Sequence, residues 1–110
     1  MGKEKRQHVR VTGPFDGTWS GAVGQRVVRI VDISHTGCFV DDIASPAMGE
    51  RVTVTVRLPG EQAFELPGEV RYTDAVQGFA VEFDQAAAPM PAFAEALERL
   101  IASRVPHPPS

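Results

Sequence analysis

The chain has 110 residues, of which 43% are hydrophobic and 23% are charged, as in one ordinary globular domain and unlike a disordered or fibrous chain. Its single cysteine, Cys38, excludes an internal disulfide and a cysteine-based zinc site, and favours a reducing compartment. The net charge of −3 is unevenly spread, because an acidic body follows a short basic start, which is unlike the broad basic face of a general nucleic-acid-binding protein.

The first ten residues hold four basic side chains and one acid. They show neither a helical nor a strand period, so we expect residues 1–10 to form a flexible basic arm. No apolar signal segment follows this arm, and no later apolar stretch is long enough to span a bilayer. We therefore expect a cytoplasmic protein without membrane insertion.

Turns and short strands are predicted for the next part of the chain. Residues 13–24 hold four glycines and a proline, which favour turns around a short strand near Trp19. Residues 25–34 are rich in valine and isoleucine on both faces, which predicts a strand that is largely covered. A turn ends at Gly37, and Cys38 begins a further strand.

Alternating patterns dominate the second half. Residues 50–58 alternate with a period of two, which predicts a half-buried strand. Residues 64–72 predict another strand, interrupted at Pro67-Gly68, where we expect a bend, a bulge or a sheet edge. Residues 77–83 alternate again, with their phenylalanines directed inward.

The period then changes to three and four. This spacing predicts one amphipathic helix over residues 91–104, whose apolar stripe covers an end or a face of the strands. Residues 105–110 form a Pro-rich tail. About six short strands followed by one helix are typical of a small barrel or sandwich.

Two short motifs carry the functional signal. The first is RQHVR at residues 6–10, and the second is DISHTG at residues 32–37, at the end of a predicted strand. The succession RxxxR and DxSxxG resembles the PilZ family, whose members bind the bacterial second messenger cyclic di-GMP. GFAVEF at residues 78–83 resembles the glycine-containing late strand of that family, although Ala80 stands where many members carry a second glycine.

The resemblance covers about residues 5–104. It implies a mainly β fold, a six-stranded antiparallel PilZ-type β-barrel over residues 11–104 that includes a C-terminal α-helix. It implies cyclic di-GMP as ligand and no cofactor. The ligand-binding positions that it implies are Lys5, Arg6, Arg10, Asp32, Ser34, His35, Gly37 and Gly78. Lys5, directly before the first arginine, is compatible with two bound ligand molecules, since that position affects ligand number in the family.

The residue types suit this ligand. The planar guanidinium groups of Arg6 and Arg10 match phosphate oxygens and the O6/N7 edge of guanine, and they stack on bases. The carboxylate of Asp32 accepts hydrogen bonds from guanine N1–H and N2–H, an arrangement that adenine does not offer. Ser34 can donate to a phosphate or a guanine edge. Gly37 provides either a turn with positive φ or room for a flat base.

Plainer interpretations exist for each motif. Two arginines four apart also occur in solvated arms, and Asp, Ser and Gly are common in ordinary turns. His35 and His8 border the expected site, but the three histidines are scattered without the spacing of a metal site. Neighbouring residues on one strand face opposite sides, which disfavours a catalytic triad from Asp32, Ser34 and His35. We therefore predict a binding protein that is not an enzyme and holds no metal.

We expect the ligand-bound arm to change the surface offered to an effector protein, in a monomer or weak dimer that binds neither DNA nor RNA. Two alternatives stay open from the sequence. One is a degenerate PilZ-like adaptor that binds a protein and no nucleotide. The other is a small OB-like barrel that binds nucleic acid, although its acidic body and few aromatic residues disfavour it.

Overall fold

The computed structural model describes residues 9–44 and 46–104. Within these ranges six strands and one helix follow in order: β1 Val11–Gly21, β2 Gly24–Ile33, β3 Gly37–Asp41, β4 Arg51–Arg57, β5 Ala63–Asp74, β6 Gly78–Phe83 and α1 Met90–Arg104. The strands close into a barrel in the order β1-β2-β3-β6-β5-β4, and every neighbouring pair is antiparallel. This confirms the predicted six-stranded antiparallel barrel with a C-terminal helix.

Alternation along the strands fills the barrel interior. In β4 the valines at 52, 54 and 56 are buried while the intervening residues are not, as the period of two predicts. Trp19 is fully buried, and its ring meets that of Phe79 edge to face at a centroid distance of 5.0 Å. Cys38 is also a buried core residue.

The prediction of turns over residues 13–24 is wrong, because β1 extends through most of that range. β1 pairs with β2 on one side and with β4 on the other, so ladder hydrogen bonds outweigh the turn preference of its glycines. The glycines instead permit close strand packing: a Cβ at Gly17 would collide with the carbonyl oxygen of Thr55. The pairing of β1 with β2 contains one irregularity, a shift of register between Thr12 and Phe15.

The expectation that β2 is largely covered is also wrong. Val27 keeps 86% of its surface exposed, and Val31 is exposed as well, whereas Val28 and Ile30 point into the core. A closed barrel buries only the inner face of each strand. The outer face of β2 is therefore available for binding.

The predicted interruption of β5 at Pro67-Gly68 is misplaced. Both residues pair with β4, and the register shift toward β6 falls at Arg71, between Val70 and Tyr72. Consequently Arg71 and Tyr72 are both exposed although they are consecutive. A bulge of this kind redirects side chains.

Helix α1 closes one end of the barrel, as its amphipathic period predicts. Phe93 is fully buried and meets Phe64 and Phe83 edge to face. At the end of the helix, Arg104 donates a 2.6 Å hydrogen bond to the carbonyl oxygen of Thr12. No helix in the described part of the chain is long and apolar enough to cross a membrane.

Candidate functional site

Cross-strand pairing places Asp32 on the outer face of the barrel. Asp32 pairs with Thr12 on β1 and with Phe39 on β3; Phe39 pairs with Ala80, which pairs with Tyr72. These five residues form one row across five strands, and none of them is buried. Asp32 therefore faces solvent beside an apolar surface.

Arg10 lies directly before β1 and reaches this row. Its guanidinium group donates a hydrogen bond to the Asp32 carboxylate. The side chains keep 53% and 29% of their surface exposed, so both groups remain accessible. The structure thus brings together the second arginine of the RxxxR motif and the aspartate of the DxSxxG motif, which are 22 positions apart.

Two shallow depressions flank the row. The first has a volume of about 300 Å³ and is lined by Arg10, Thr36, Gly37, Cys38, Arg71, Ala80, Val81 and Glu82. The second, of about 540 Å³, is lined by Val31, Asp32, Phe39, Asp41, Val76 and Gln77. Arg10 and Asp32 belong to different depressions but are joined by their hydrogen bond, so they bridge the two.

Ser34 lies inside the turn between β2 and β3 rather than on the surface. It is fully buried, and its hydroxyl accepts a hydrogen bond from the Thr36 amide at 3.2 Å. Its own amide donates to the carbonyl oxygen of Gly37 at 2.8 Å. In this structure Ser34 shapes the turn that follows Asp32, and its direct contact with a ligand stays a prediction.

The two glycines of the predicted site serve close strand packing. Gly37 does not have positive φ, and a Cβ there would overlap the carbonyl oxygen of Val81. Gly78 has a φ of 143° and its Cβ would overlap the carbonyl oxygen of Val40. Gly37 lines the first depression, whereas Gly78 is buried at the start of β6.

His35 faces helix α1. Its Nε2 lies 2.9 Å from a carboxylate oxygen of Glu98, and its carbonyl oxygen accepts a hydrogen bond from Gln85 at 3.1 Å. His35 therefore connects the turn of the DxSxxG motif to the helix. Arg6, Lys5 and His8 lie outside the described residues, as does the Pro-rich tail.

Arg71 and Glu82 line the first depression although neither is among the ligand-binding positions predicted from the sequence. Arg71 Nη1 lies 3.4 Å from a Glu82 carboxylate oxygen and 3.8 Å from one of Glu69. The sequence carries no signal for this position, because Val70, Arg71 and Tyr72 continue the alternation of apolar and polar residues, and the exposure of Tyr72 is visible only in the structure. Only the bulge and the pairing with β6 reveal where Arg71 lies.

The charges of Asp32 and Arg10 act electrostatically on the buried Cys38. Burial raises the pKa of the Cys38 thiol far above its ordinary value, and the nearby Asp32 carboxylate adds to this rise. Cys38 is thus a neutral core residue and not a reactive thiol. Across residues 9–44 and 46–104, no three His, Cys, Asp or Glu side chains cluster closely enough to hold a metal ion.

The fold and the site together define a class: a small closed β-barrel that presents a guanidinium–carboxylate pair on its outer face. The model of the PilZ domain family matches residues 4–103. This chain therefore belongs to the PilZ domain family, a family of cyclic di-GMP receptors and adaptors. Membership excludes the OB-like alternative, which is also at odds with six strands because an OB-fold has five.

Among solved structures, the chain is similar to the Bacillus subtilis inhibitor of motility (MotI/DgrA). The two share 23% sequence identity with a TM-score of 0.71, over 94% of this chain and 55% of that one. This likeness supports the fold, and the present chain spans about half the length of that protein. No curated protein sequence matches this chain significantly.

Proposed function

We propose that this protein is a receptor for cyclic di-GMP that works as a non-catalytic adaptor. The observation that carries the proposal is the Arg10–Asp32 pair, exposed on the barrel wall beside the first depression. Membership of the PilZ family makes this ligand the natural candidate. The pair supplies a phosphate-binding group and a guanine-reading group at one place.

In the proposed complex Arg10 and Asp32 no longer bind each other, and each binds the ligand instead. Asp32 accepts from guanine N1–H and N2–H, and Arg10 turns to a phosphate or to the guanine O6/N7 edge. Exposed ion pairs contribute only about 0–1 kcal/mol, so opening this one costs little. A charge-assisted hydrogen bond to the ligand is worth about 1.5–3 kcal/mol, which favours the exchange.

The remaining motif residues have supporting parts in this proposal. Ser34 and Gly37 hold the turn that presents Asp32, through the hydrogen bonds inside the turn and the close approach of β6. Arg6 is proposed to supply a second guanidinium from the arm, and Lys5 an additional cation. Closure of the arm over the ligand would alter the surface beside β1, which an effector protein would read.

Isothermal titration with cyclic di-GMP tests the proposal. We expect the wild-type protein to bind, and Asp32→Asn or Arg10→Gln to weaken binding about tenfold to a hundredfold, because each removes a charge-assisted contact. Arg57→Gln is the control, since this exposed arginine on β4 lies apart from the Arg10–Asp32 pair.

Absence of binding by the wild-type protein at micromolar concentration would overturn the receptor proposal and favour the adaptor that binds no nucleotide. Equal affinity of wild type, Asp32→Asn and Arg10→Gln would instead show that the ligand binds to another face of the barrel. Binding of single-stranded DNA at low salt, measured by gel shift, would contradict the expectation that nucleic acid is not a partner.

A further inference from the structure

A second guanidinium–carboxylate pair lies across β3 from the first. Arg10 lines the first depression from the β1 side and is hydrogen-bonded to Asp32, which lines the second depression, while Arg71 on β5 and Glu82 on β6 line the other side of the first. Arg71 and Glu82 keep 59% and 57% of their side-chain surface exposed. A guanidinium group thus lines each side of the first depression, and each lies close to a carboxylate.

The backbone explains why the second pair faces the same space. Glu82 pairs with Gly37, the last residue of the DxSxxG motif, so its strand lies directly beside the turn that presents Asp32. The bulge in β5 turns Arg71 outward next to Tyr72. Asp32 and Glu82 are separated by two strand spacings across the sheet and by two residues along it, about 12 Å in all.

The floor between the pairs is low. Gly37 has no side chain and Ala80 has only a methyl group, so the floor between Arg10 and Arg71 is low in the first depression. The larger Phe39, next to Asp32 in the row, lines the second depression instead. A planar base or a phosphate can approach the strands there. The low floor and the two flanking pairs together fit a ligand with two equivalent polar halves.

Cyclic di-GMP is such a ligand, because it consists of two identical nucleotides joined in a ring. We propose that Arg71 and Glu82 bind the second nucleotide half, as Arg10 and Asp32 bind the first; this inference rests on the proposed function. Arg71 contacts a phosphate or stacks on a base, and Glu82 accepts hydrogen bonds from the second guanine.

The existing contacts of Arg71 do not prevent this role. Its distances of 3.4 Å to Glu82 and 3.8 Å to Glu69 exceed the 2.7–2.9 Å of a charge-assisted hydrogen bond. All three side chains are accessible to water, so the pairing is weak and screened. Arg71 can therefore reorient toward a ligand phosphate at little cost.

The test compares Arg71→Gln and Glu82→Gln with a matched control in calorimetric titrations with cyclic di-GMP. Arg51→Gln is the control, because Arg51 is 61% exposed and also has a 3.8 Å ion pair, but lines no part of this depression. We expect Arg71→Gln to weaken binding about tenfold to a hundredfold and Arg51→Gln to leave it unchanged. Thermal unfolding should show equal midpoints for all three variants.

A cyclic dinucleotide with one guanine and one adenine tests the role of Glu82 separately. Cyclic GMP-AMP carries one guanine, so a site with two guanine-reading carboxylates should bind it at least about tenfold more weakly than cyclic di-GMP. Glu82→Gln should reduce that discrimination. A residue that merely stabilises the barrel would change neither the ratio of affinities nor its dependence on the second base.

The outcomes separate this inference from the receptor proposal. Suppose that the wild type binds cyclic di-GMP and Arg10→Gln weakens binding. If Arg71→Gln then binds with the same affinity as Arg51→Gln, the proposed binding role of the second pair is refuted and the receptor proposal stands. If wild type binds both dinucleotides equally, the role of Glu82 is refuted. If the wild type binds neither ligand, both proposals fall.

Discussion

Asp42 is the most constrained charged residue in the described part of the chain, and it lies outside both ligand motifs. Its carboxylate accepts hydrogen bonds from Trp19 Nε1 at 2.7 Å, from the amide of Ala44 at 3.0 Å and from two nitrogens of Arg26 at 2.6 and 2.9 Å. These bonds, that from Arg26 foremost, lower the pKa of Asp42 to about 2. One residue thus joins the core tryptophan, β2 and the loop after β3.

This residue predicts a defined acid sensitivity. Because the pKa of Asp42 is lower in the folded than in the unfolded chain, its stabilisation is complete above about pH 5 and is largely lost as the pH falls to about 2. We expect a contribution of about 2 kcal/mol near neutral pH. Urea unfolding of wild type and Asp42→Asn should therefore differ by this amount at neutral pH and converge as the pH falls.

Asp41→Asn provides the comparison, since Asp41 is the exposed neighbour on β3. Its effect on the free energy of unfolding at neutral pH should be within about 0.5 kcal/mol, as is usual at exposed positions. A gap between wild type and Asp42→Asn that persists undiminished at about pH 2 would contradict the role assigned to the ionised carboxylate.

Helix α1 is the element that completes the core. Its buried face comprises Met90, Phe93, Ala96, Leu97 and Leu100. Phe93 meets Phe64 at a ring centroid distance of 5.8 Å and Phe83 at 5.6 Å, which places an aromatic cluster at one end of the barrel. The helix also reaches both ligand motifs indirectly, since Glu98 contacts His35 and Arg104 contacts the carbonyl oxygen of Thr12.

Truncation of Phe93 should therefore be costly. We expect Phe93→Ala to lower the free energy of unfolding by about 3–5 kcal/mol, because it removes a fully buried ring and leaves a cavity. Phe93→Leu should cost less, since it keeps most of the apolar volume. Denaturant unfolding measures both, and Ala92→Ser on the exposed face of the helix is the control; a Phe93→Ala cost below about 1 kcal/mol would show that the helix is not part of the core.

At the scale of the whole molecule, strands and helix share one hydrophobic core. Trp19, Phe79, Phe93 and Leu97 all belong to a single buried cluster. Small domains with one core usually unfold in one cooperative step. We expect Trp19 fluorescence and far-ultraviolet circular dichroism to give coincident urea transitions. A helical signal that is lost before the tryptophan signal would contradict a single core.

Several elements were predictable from local patterns. The alternation over residues 50–58 and the three-to-four spacing over residues 91–104 each predicted an element that the structure contains, because one face of each must be buried. Local patterns gave the wrong secondary structure where strand pairing determines it. The glycines of β1 favour turns in isolation, yet β1 is a strand because it is held between β2 and β4.

The sequence by itself determined about six strands and a terminal helix, which follow from periodicity. Its two short motifs determined the barrel class and the candidates Arg10 and Asp32 through their resemblance to the PilZ family. Only the tertiary structure decided that Ser34 is buried, that the outer face of β2 is open, and that Arg71 and Glu82 line one depression with Arg10. The physical reason is that strand register and a bulge determine which face a side chain occupies. Residues far apart in the chain become neighbours only when the barrel closes.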